Sequence, residues 1–243
     1  MTHTSTQSIH DDALERQIEY FARRRPVRML AHDTPYIHRH FDEVMANGRL
    51  QAGESVCEWG AGLGRFSRLL LDAGMSVSAI ELSPQLAGEA GQSLAERDTL
   101  AICCGDIAQV LEAESATFDA MAGFFVLHHL PELERYFRAA HARLREGGRM
   151  VFVEPNPFHP LFPVQIALTP GMRWSAERGI YRLTAGAIRR AAHAAGFSRV
   201  EIRRYGALPR VPYNWLGRWR AERAIEPLVP ALVKPFQSIV AWR

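Results

Sequence analysis

Short apolar runs alternate with helical runs through the middle of the chain, and this rhythm constrains the fold more than any other feature. The runs 55–59 (SVCEW), 75–81 (MSVSAIE), 100–104 (LAICC), 118–127 (FDAMAGFFVL) and 149–153 (RMVFV) read as buried strands. Helical spacing fills the gaps between several of them. Phe66, Leu69, Leu70 and Ala73 mark one helix over 65–73, stopped by Gly74. Ser83 and Pro84 cap and open a second over 85–97. A third starts at Pro131 and buries Leu133, Tyr136, Phe137, Ala140 and Leu144, and Gly147-Gly148 closes it. Thr184 caps a further helix over 185–195, with strands at 200–204 and 238–242 (SIVAW) after it. Such alternation builds a mostly parallel sheet with helices on both faces. Its ligand site lies beyond the carboxyl ends of the strands.

Three segments fall outside the rhythm. Residues 1–50 form an N-terminal helical cap that includes a helix at 35–47. Residues 156–183 and 206–237 are enlarged connections, the second holding prolines 209, 212, 227, 230 and 235. With an antiparallel last strand, both connections emerge on the edge that carries the first glycine turn, so they are expected to form a substrate lid. The expected organisation is a single domain over 1–243: the cap, a cofactor-binding core at 51–155, the lid, and the remaining sheet at 184–205 and 238–243.

Composition excludes several classes. Of 243 residues 47% are hydrophobic and 23% charged, ordinary globular values. No apolar run approaches the roughly 20 residues of a bilayer span. The start, MTHTSTQSIHDD, lacks the basic and then apolar character of a signal peptide. Cys57, Cys103 and Cys104 cannot make a disulfide framework, so a reducing cytoplasm is expected. Lys234 is the single lysine among 29 basic residues, which suits a GC-rich bacterial coding sequence. Residues 1–198 carry a net charge of −3 and 199–243 a net +6. Nucleic acid, an anionic surface or an acidic substrate could each meet that basic end, as could solvent.

The chemistry concentrates in Glu58-Trp59-Gly60-Ala61-Gly62-Leu63-Gly64, between a strand and a helix. Glycines let the backbone approach a ligand, and the following helix offers unpaired N–H groups. A dinucleotide fingerprint places a third glycine where Arg65 stands, which argues against NAD or FAD. Glu81 ends the second strand, where a carboxylate can accept from two ribose hydroxyls. Asp106 follows the third strand, where it can receive an adenine amino group.

With these residues the sequence resembles the class I S-adenosylmethionine-dependent methyltransferases, most closely a small-molecule branch. The resemblance rests on EWGAGLGRFSRLLLDAG (58–74), IELSP (80–84), GDI (105–107), the stretch from FDAMAGFF to FVEPN (118–156) with VLHHLP inside it, and LTAGAIRRAAHAAGF (183–197). It implies a Rossmann-like seven-stranded sheet with S-adenosylmethionine as cofactor. It implies Glu58, Gly60, Gly62 and Gly64 around the methionine portion, Glu81 at the ribose, Asp106 and Ile107 at the adenine, and Phe125 and Val126 lining the site. The Asn-Pro-Pro-Tyr type of segment of adenine and glutamine amide methyltransferases is absent at 124–130, so a small-molecule acceptor is expected and nucleic acid is disfavoured.

A base is needed where the acceptor is a hydroxyl, an amine or a weak carbon acid, and histidine suits that role. The candidates are His128, His129 and Glu154, with His159 on the first enlarged connection. Arg39, 21 residues before Gly60, is a candidate clamp for the methionine carboxylate. His32, His38 and His40 cluster in sequence, yet residues two apart on a helix face different ways, so no metal is expected. Trp215 and Trp219 share a face if helical. Arg203, Arg204, Arg210, Arg218, Arg220 and Arg223 make the lid region cationic, which suits an acceptor with an anionic or aromatic portion. The rival readings are a nucleotide-dependent oxidoreductase on a related sheet, a nucleic-acid methyltransferase or binding protein, and a non-catalytic cofactor-binding scaffold.

Overall fold

The computed structural model describes residues 34–168, 172–208, 213–214, 222 and 224–243. The expected strands assemble into one seven-stranded sheet. They are β1 (Ser55–Trp59), β2 (Ser76–Glu81), β3 (Leu100–Cys104), β4 (Phe118–Phe124), β5 (Leu144–Pro155), β6 (Arg199–Tyr205) and β7 (Phe236–Trp242), in spatial order β3-β2-β1-β4-β5-β7-β6. The pairs from β3 to β5 are parallel, and β7 runs antiparallel to both β5 and β6.

Period-two alternation divides the core between the two faces. Val56, Ala120, Ala122, Phe124, Val151, Val153 and Val240 pack with α1 (Pro35–Gly48) and α2 (Arg65–Asp72). Cys57, Trp59, Met121, Met150, Phe152 and Ile239 face the other way, toward α4 (Ile107–Ala113), α5 (Leu133–Arg143) and α8 (Ala185–Ala194). Between β2 and β3 runs α3 (Pro84–Ser93), capped by the Ser83 hydroxyl, which accepts from Leu86 N–H. Thr184 caps α8 likewise, through Ala187 N–H. In the connection after β5 lie α6 (Phe162–Leu168) and the short α7 (Trp174–Glu177).

Several boundaries differ from the sequence reading, and one helix is added. The fourth strand stops at Phe124 and does not reach 127, because Phe125 turns into the left-handed region (φ 59°) and the next two amides donate to a carboxylate. The fifth begins at Leu144, which pairs with Phe118 across a register shift, so α5 ends at Arg143, ahead of the glycines. Helix α5 starts at Leu133, two residues after Pro131. Helix α4 was not expected at all; the Asp106 carboxylate caps it by accepting from Gln109 N–H at 3.1 Å.

The antiparallel β7 brings Pro155 and Tyr205 both opposite Phe236. Both enlarged connections therefore leave the sheet at the edge where β1, β2 and β4 end. They are tied to one another there: the buried Asn156 donates through Nδ2 to the carbonyls of Leu232 (2.8 Å) and Lys234 (2.7 Å).

Candidate active site

At that edge opens a cavity of about 320 Å³, within the range of small-ligand sites. Its inner wall is built from the ends of the first three strands. The turn after β1 is pinned to β2, since Gly60 and Ala61 N–H both donate to the Ile80 carbonyl. Gly60 and Gly62 hold φ of 71° and 57°, which disfavour any side chain. A Cβ on Gly60 would strike Val126 Cγ2 at 2.8 Å, whereas the space above Gly62 is open within 4 Å.

Glu81 stands beside this turn with both oxygens fixed. Oε2 accepts from Gly62 N–H at 2.8 Å and Oε1 from Ser83 N–H at 2.9 Å. Each oxygen keeps a lone pair for a ligand hydroxyl. Burial raises its pKa, and the backbone donors oppose that shift. Asp106, next along the wall, accepts from Gln109 N–H through Oδ1 and from the Tyr136 hydroxyl through Oδ2 at 2.7 Å. Tyr136, which the sequence places on the core face of a helix, thus braces this wall acid from behind the cavity. The donor set fits an adenosyl group: paired carboxylates for hydroxyl and amino donors, and bare backbone between them.

Of the residues expected around the cofactor, Gly60, Gly62, Glu81, Asp106, Ile107, Phe125 and Val126 line this cavity. Glu58 and Gly64 stand behind it. Glu58 is buried and accepts a short hydrogen bond from the Ser67 hydroxyl; burial pushes its carboxyl up to about 8. Gly64 packs against Leu94.

The expectation for Arg39 is corrected. Its guanidinium is buried among three carboxylates, bonding Glu43 through Nη1, Glu222 through Nε at 3.2 Å and Glu226 through Nη2 at 3.0 Å. It does not line the cavity. The two glutamates from the last connection have consumed the charge expected to hold a ligand carboxylate. His40, on the same helix, sits 2.7 Å from the Tyr205 hydroxyl. Among the described residues no group of three or more His, Cys, Asp or Glu could hold a metal.

The candidate bases separate sharply. Glu154 is fully buried and does not line the cavity. Its Oε1 accepts from Val126 N–H (2.8 Å) and Leu127 N–H (2.6 Å), and its Oε2 meets His128 Nδ1 at 2.7 Å. Glu154 thus shapes the turn after β4 from outside the cavity lining. On the other side of the ring, His128 Nε2 faces Glu177 Oε2 at 3.6 Å. Burial alone would lower the His128 pKa; the charge of Glu154 and the hydrogen bonds to Glu154 and Glu177 outweigh it and raise the value to about 9. Carboxylates facing both ring nitrogens thus favour the protonated form of His128. Glu177, which sequence reasoning did not single out, comes from the 156–183 connection. Gly179 fits against the same turn so tightly that a Cβ would fall 1.8 Å from the His128 carbonyl oxygen. His129 lines the cavity, its ring 3.9 Å from that of His128. His159 also lines it, and its Nδ1 lies 2.7 Å from the Val233 carbonyl.

The outer wall comes from α1 and the two connections: Tyr36, Ile37, Phe162, Met172, Pro235 and Phe236. Among the described lining residues the arginine is Arg65, beside the glycine turn. The cationic lid expected from the arginine-rich end rests mainly on residues outside those described. Arg204 lies over the Phe158 ring, while Arg210, Arg218, Arg220, Arg223, Trp215, Trp219 and His32 fall outside the described residues.

Comparison with known proteins agrees with this geometry. The family described as "Methyltransferase domain" matches residues 18–202. An uncharacterized methyltransferase of Geobacillus thermodenitrificans is 30% identical over 116 residues, 47% of this chain and 53% of that one. A ribosomal RNA small subunit methyltransferase A of Mycobacterium leprae is 31% identical over 109 residues, 43% of this chain and 34% of its own. The chain thus spans about half the length of the first relative and a third of the second. The phosphoethanolamine N-methyltransferase 2 of Haemonchus contortus, solved with S-adenosyl-L-methionine, superposes with a TM-score of 0.60 at 17% identity, over 85% of this chain and 52% of that one. With the match extending over most of its length, and on the seven-stranded class I sheet, the chain belongs to the methyltransferase family.

Proposed function

We propose that this protein transfers a methyl group from S-adenosylmethionine to a small-molecule acceptor held in the cavity. The observation that carries the reading is the convergence of the Glu81 and Asp106 carboxylates and the Gly60–Gly62 backbone on one chamber. In this reading Glu81 holds the ribose hydroxyls, Asp106 and Ile107 border the adenine, and Phe125 and Val126 line the cofactor. S-adenosylmethionine supplies an already electrophilic methyl on a sulfonium sulfur. The chain's own task is alignment and exclusion of water, which together can lower a barrier by about 7–11 kcal/mol at best. The described residues of the 156–183 and 206–237 connections act as the cover of the chamber, joined to one another through Asn156 and anchored to the turn after β4 through the Glu177–His128 contact. Phe125, held at φ 59° on the floor, is a strained residue at the place where reacting groups would meet.

Calorimetric titration tests this directly: S-adenosylmethionine and S-adenosylhomocysteine bind, NAD does not, and Gly62→Arg abolishes both affinities. NAD binding in their place would overturn the reading.

A second reading, methylation of nucleic acid, is favoured by the net +6 of residues 199–243 and by the ribosomal RNA relative. Several of those cations are already engaged: Arg199 with Glu201, Lys234 with Glu226, and Arg243 with the Leu144 carbonyl. Phosphate contacts would make RNA affinity fall steeply with salt. A gel-shift series with ribosomal RNA that shows no salt-sensitive association removes this alternative.

A further inference from the structure

We propose that the acceptor is the hydroxyl of an uncharged aromatic ring and that His159 receives its proton at Nε2. The proposal rests on the methyl-transfer reading above and adds to it the acceptor class and the base.

The outer chamber speaks for the ring. Phe236 stands edge-on to Tyr36 and to Phe125, with centroids 5.8 Å and 5.9 Å apart, and Phe162 and Met172 stand on the same wall. Such walls favour a flat apolar ligand through burial, edge-to-face contacts and sulfur–aromatic contact. The charged groups beside these rings, His128 and Glu177, already face one another at 3.6 Å, and Arg65 stands at the glycine turn, so a carboxylate or ammonium set against the rings would lose hydration without a dedicated counter-charge among the described residues.

The base follows from hydrogen-bond chemistry. A carbonyl oxygen only accepts, so the proton on the His159 ring resides on Nδ1, directed at the Val233 carbonyl. In that Nδ1–H tautomer the lone pair sits on Nε2, on a side chain that lines the cavity. The ring is preorganised. His159 N–H donates to the Asn156 carbonyl at 3.0 Å, and Asn156 grips the carbonyls on either side of Val233. His128 offers no such lone pair, because carboxylates face both its nitrogens.

In the step itself the acceptor oxygen forms a bond to the methyl carbon. The carbon–sulfur bond breaks and its electron pair stays on sulfur. The hydroxyl proton passes to His159 Nε2, and the imidazolium keeps its Nδ1–H on the Val233 carbonyl until Nε2 loses the proton to water. A phenol matches a histidine base far better than an aliphatic alcohol, whose proton is much less acidic.

The test uses the full chain, with wild type and His159→Gln each titrated with S-adenosylhomocysteine as a folding and cofactor control. Both are then assayed with S-adenosylmethionine against 4-methylphenol, 4-nitrophenol, benzoate and benzylamine. Methylation of 4-methylphenol is expected, without turnover of benzoate or benzylamine. His159→Gln should lower kcat on 4-methylphenol by ~100-fold or more, the scale of a general base. On 4-nitrophenol, which ionises near neutrality, the loss should stay below ~10-fold, and KM should shift little on either. Long-range proton–nitrogen NMR of wild type, assigned by the variant, should show an Nδ1-protonated ring at neutral pH. Cofactor binding without methylation of either phenol, or turnover of benzoate or benzylamine instead, overturns the acceptor class. Equal losses on the two phenols, or an unprotonated Nδ1, overturn the base. Absence of S-adenosylhomocysteine binding in wild type defeats the underlying methyl-transfer reading instead.

Discussion

The two walls of the cavity are built on different principles. The inner wall is held by shorter-range contacts: Glu81 to Ser83, Asp106 to Gln109, Glu81 to Gly62 at 19 residues and Tyr136 to Asp106 at 30. The outer wall is held by contacts across the chain. Asn156 reaches Leu232, His159 reaches Val233, and Gln237 Nε2 reaches the Pro155 carbonyl, over separations of 74 to 82 residues. The first wall forms wherever the strand ends and turns form. The second exists only where two long connections meet. Cofactor affinity should therefore resist damage to the connections, whereas acceptor recognition should not.

The largest effect is expected where the walls join. Glu154→Ala removes the acceptor for Val126 and Leu127 N–H and strips a buried imidazolium of a carboxylate, so unfolding free energy should fall by about 3–5 kcal/mol in denaturant titrations. A loss below ~1 kcal/mol would show that Glu154 does not organise the turn. Next comes Asn156→Ala, which removes two part-buried hydrogen bonds at about 0.5–1.5 kcal/mol each, a cost of about 1–3 kcal/mol. Acceptor KM should rise in that variant while S-adenosylhomocysteine affinity stays within ~2-fold; loss of both together would erase the distinction between the walls.

A smaller effect follows from protonation. The ordinary His128 pKa of 6.5 rises to about 9 in the fold, so the charged ring stabilises the native state. That contribution is complete below about pH 6.5 and is lost as pH rises through about 9. Wild-type Tm should decline over this interval more than that of His128→Gln, as differential scanning calorimetry at a series of pH values will reveal. The smallest change is expected at Phe158, about half exposed under the Arg204 guanidinium at 5.4 Å: Phe158→Ala should cost less than ~1 kcal/mol and leave cofactor binding intact.

How legible the molecule was follows the same division. Strands, caps at Ser83 and Thr184, the glycine turn and the two wall acids were readable because each depends on spacing within a few residues. Helix α4 was missed because a seven-residue segment with no closing glycine carries too little periodicity. The bracing role of Tyr136 and the site role of Glu177 were missed because their partners Asp106 and His128 lie on other elements, and nothing in sequence marks such pairs. Arg39 was misread for the converse reason. A lone cation ahead of a glycine turn looks available for a ligand until Glu222 and Glu226 arrive from nearly two hundred residues away.

Sequence by itself determined the alternating elements, the sheet they build and the turn with its two carboxylates, since strand period, helix period and glycine dihedrals are local properties of a chain. Tertiary structure alone decided which carboxylates face the cavity, which histidine has carboxylates at both nitrogens and which meets a backbone carbonyl at Nδ1. Those outcomes depend on where the antiparallel β7 brings the ends of β5 and β6 together, and hydrogen-bond satisfaction in a buried site is settled by neighbours in space.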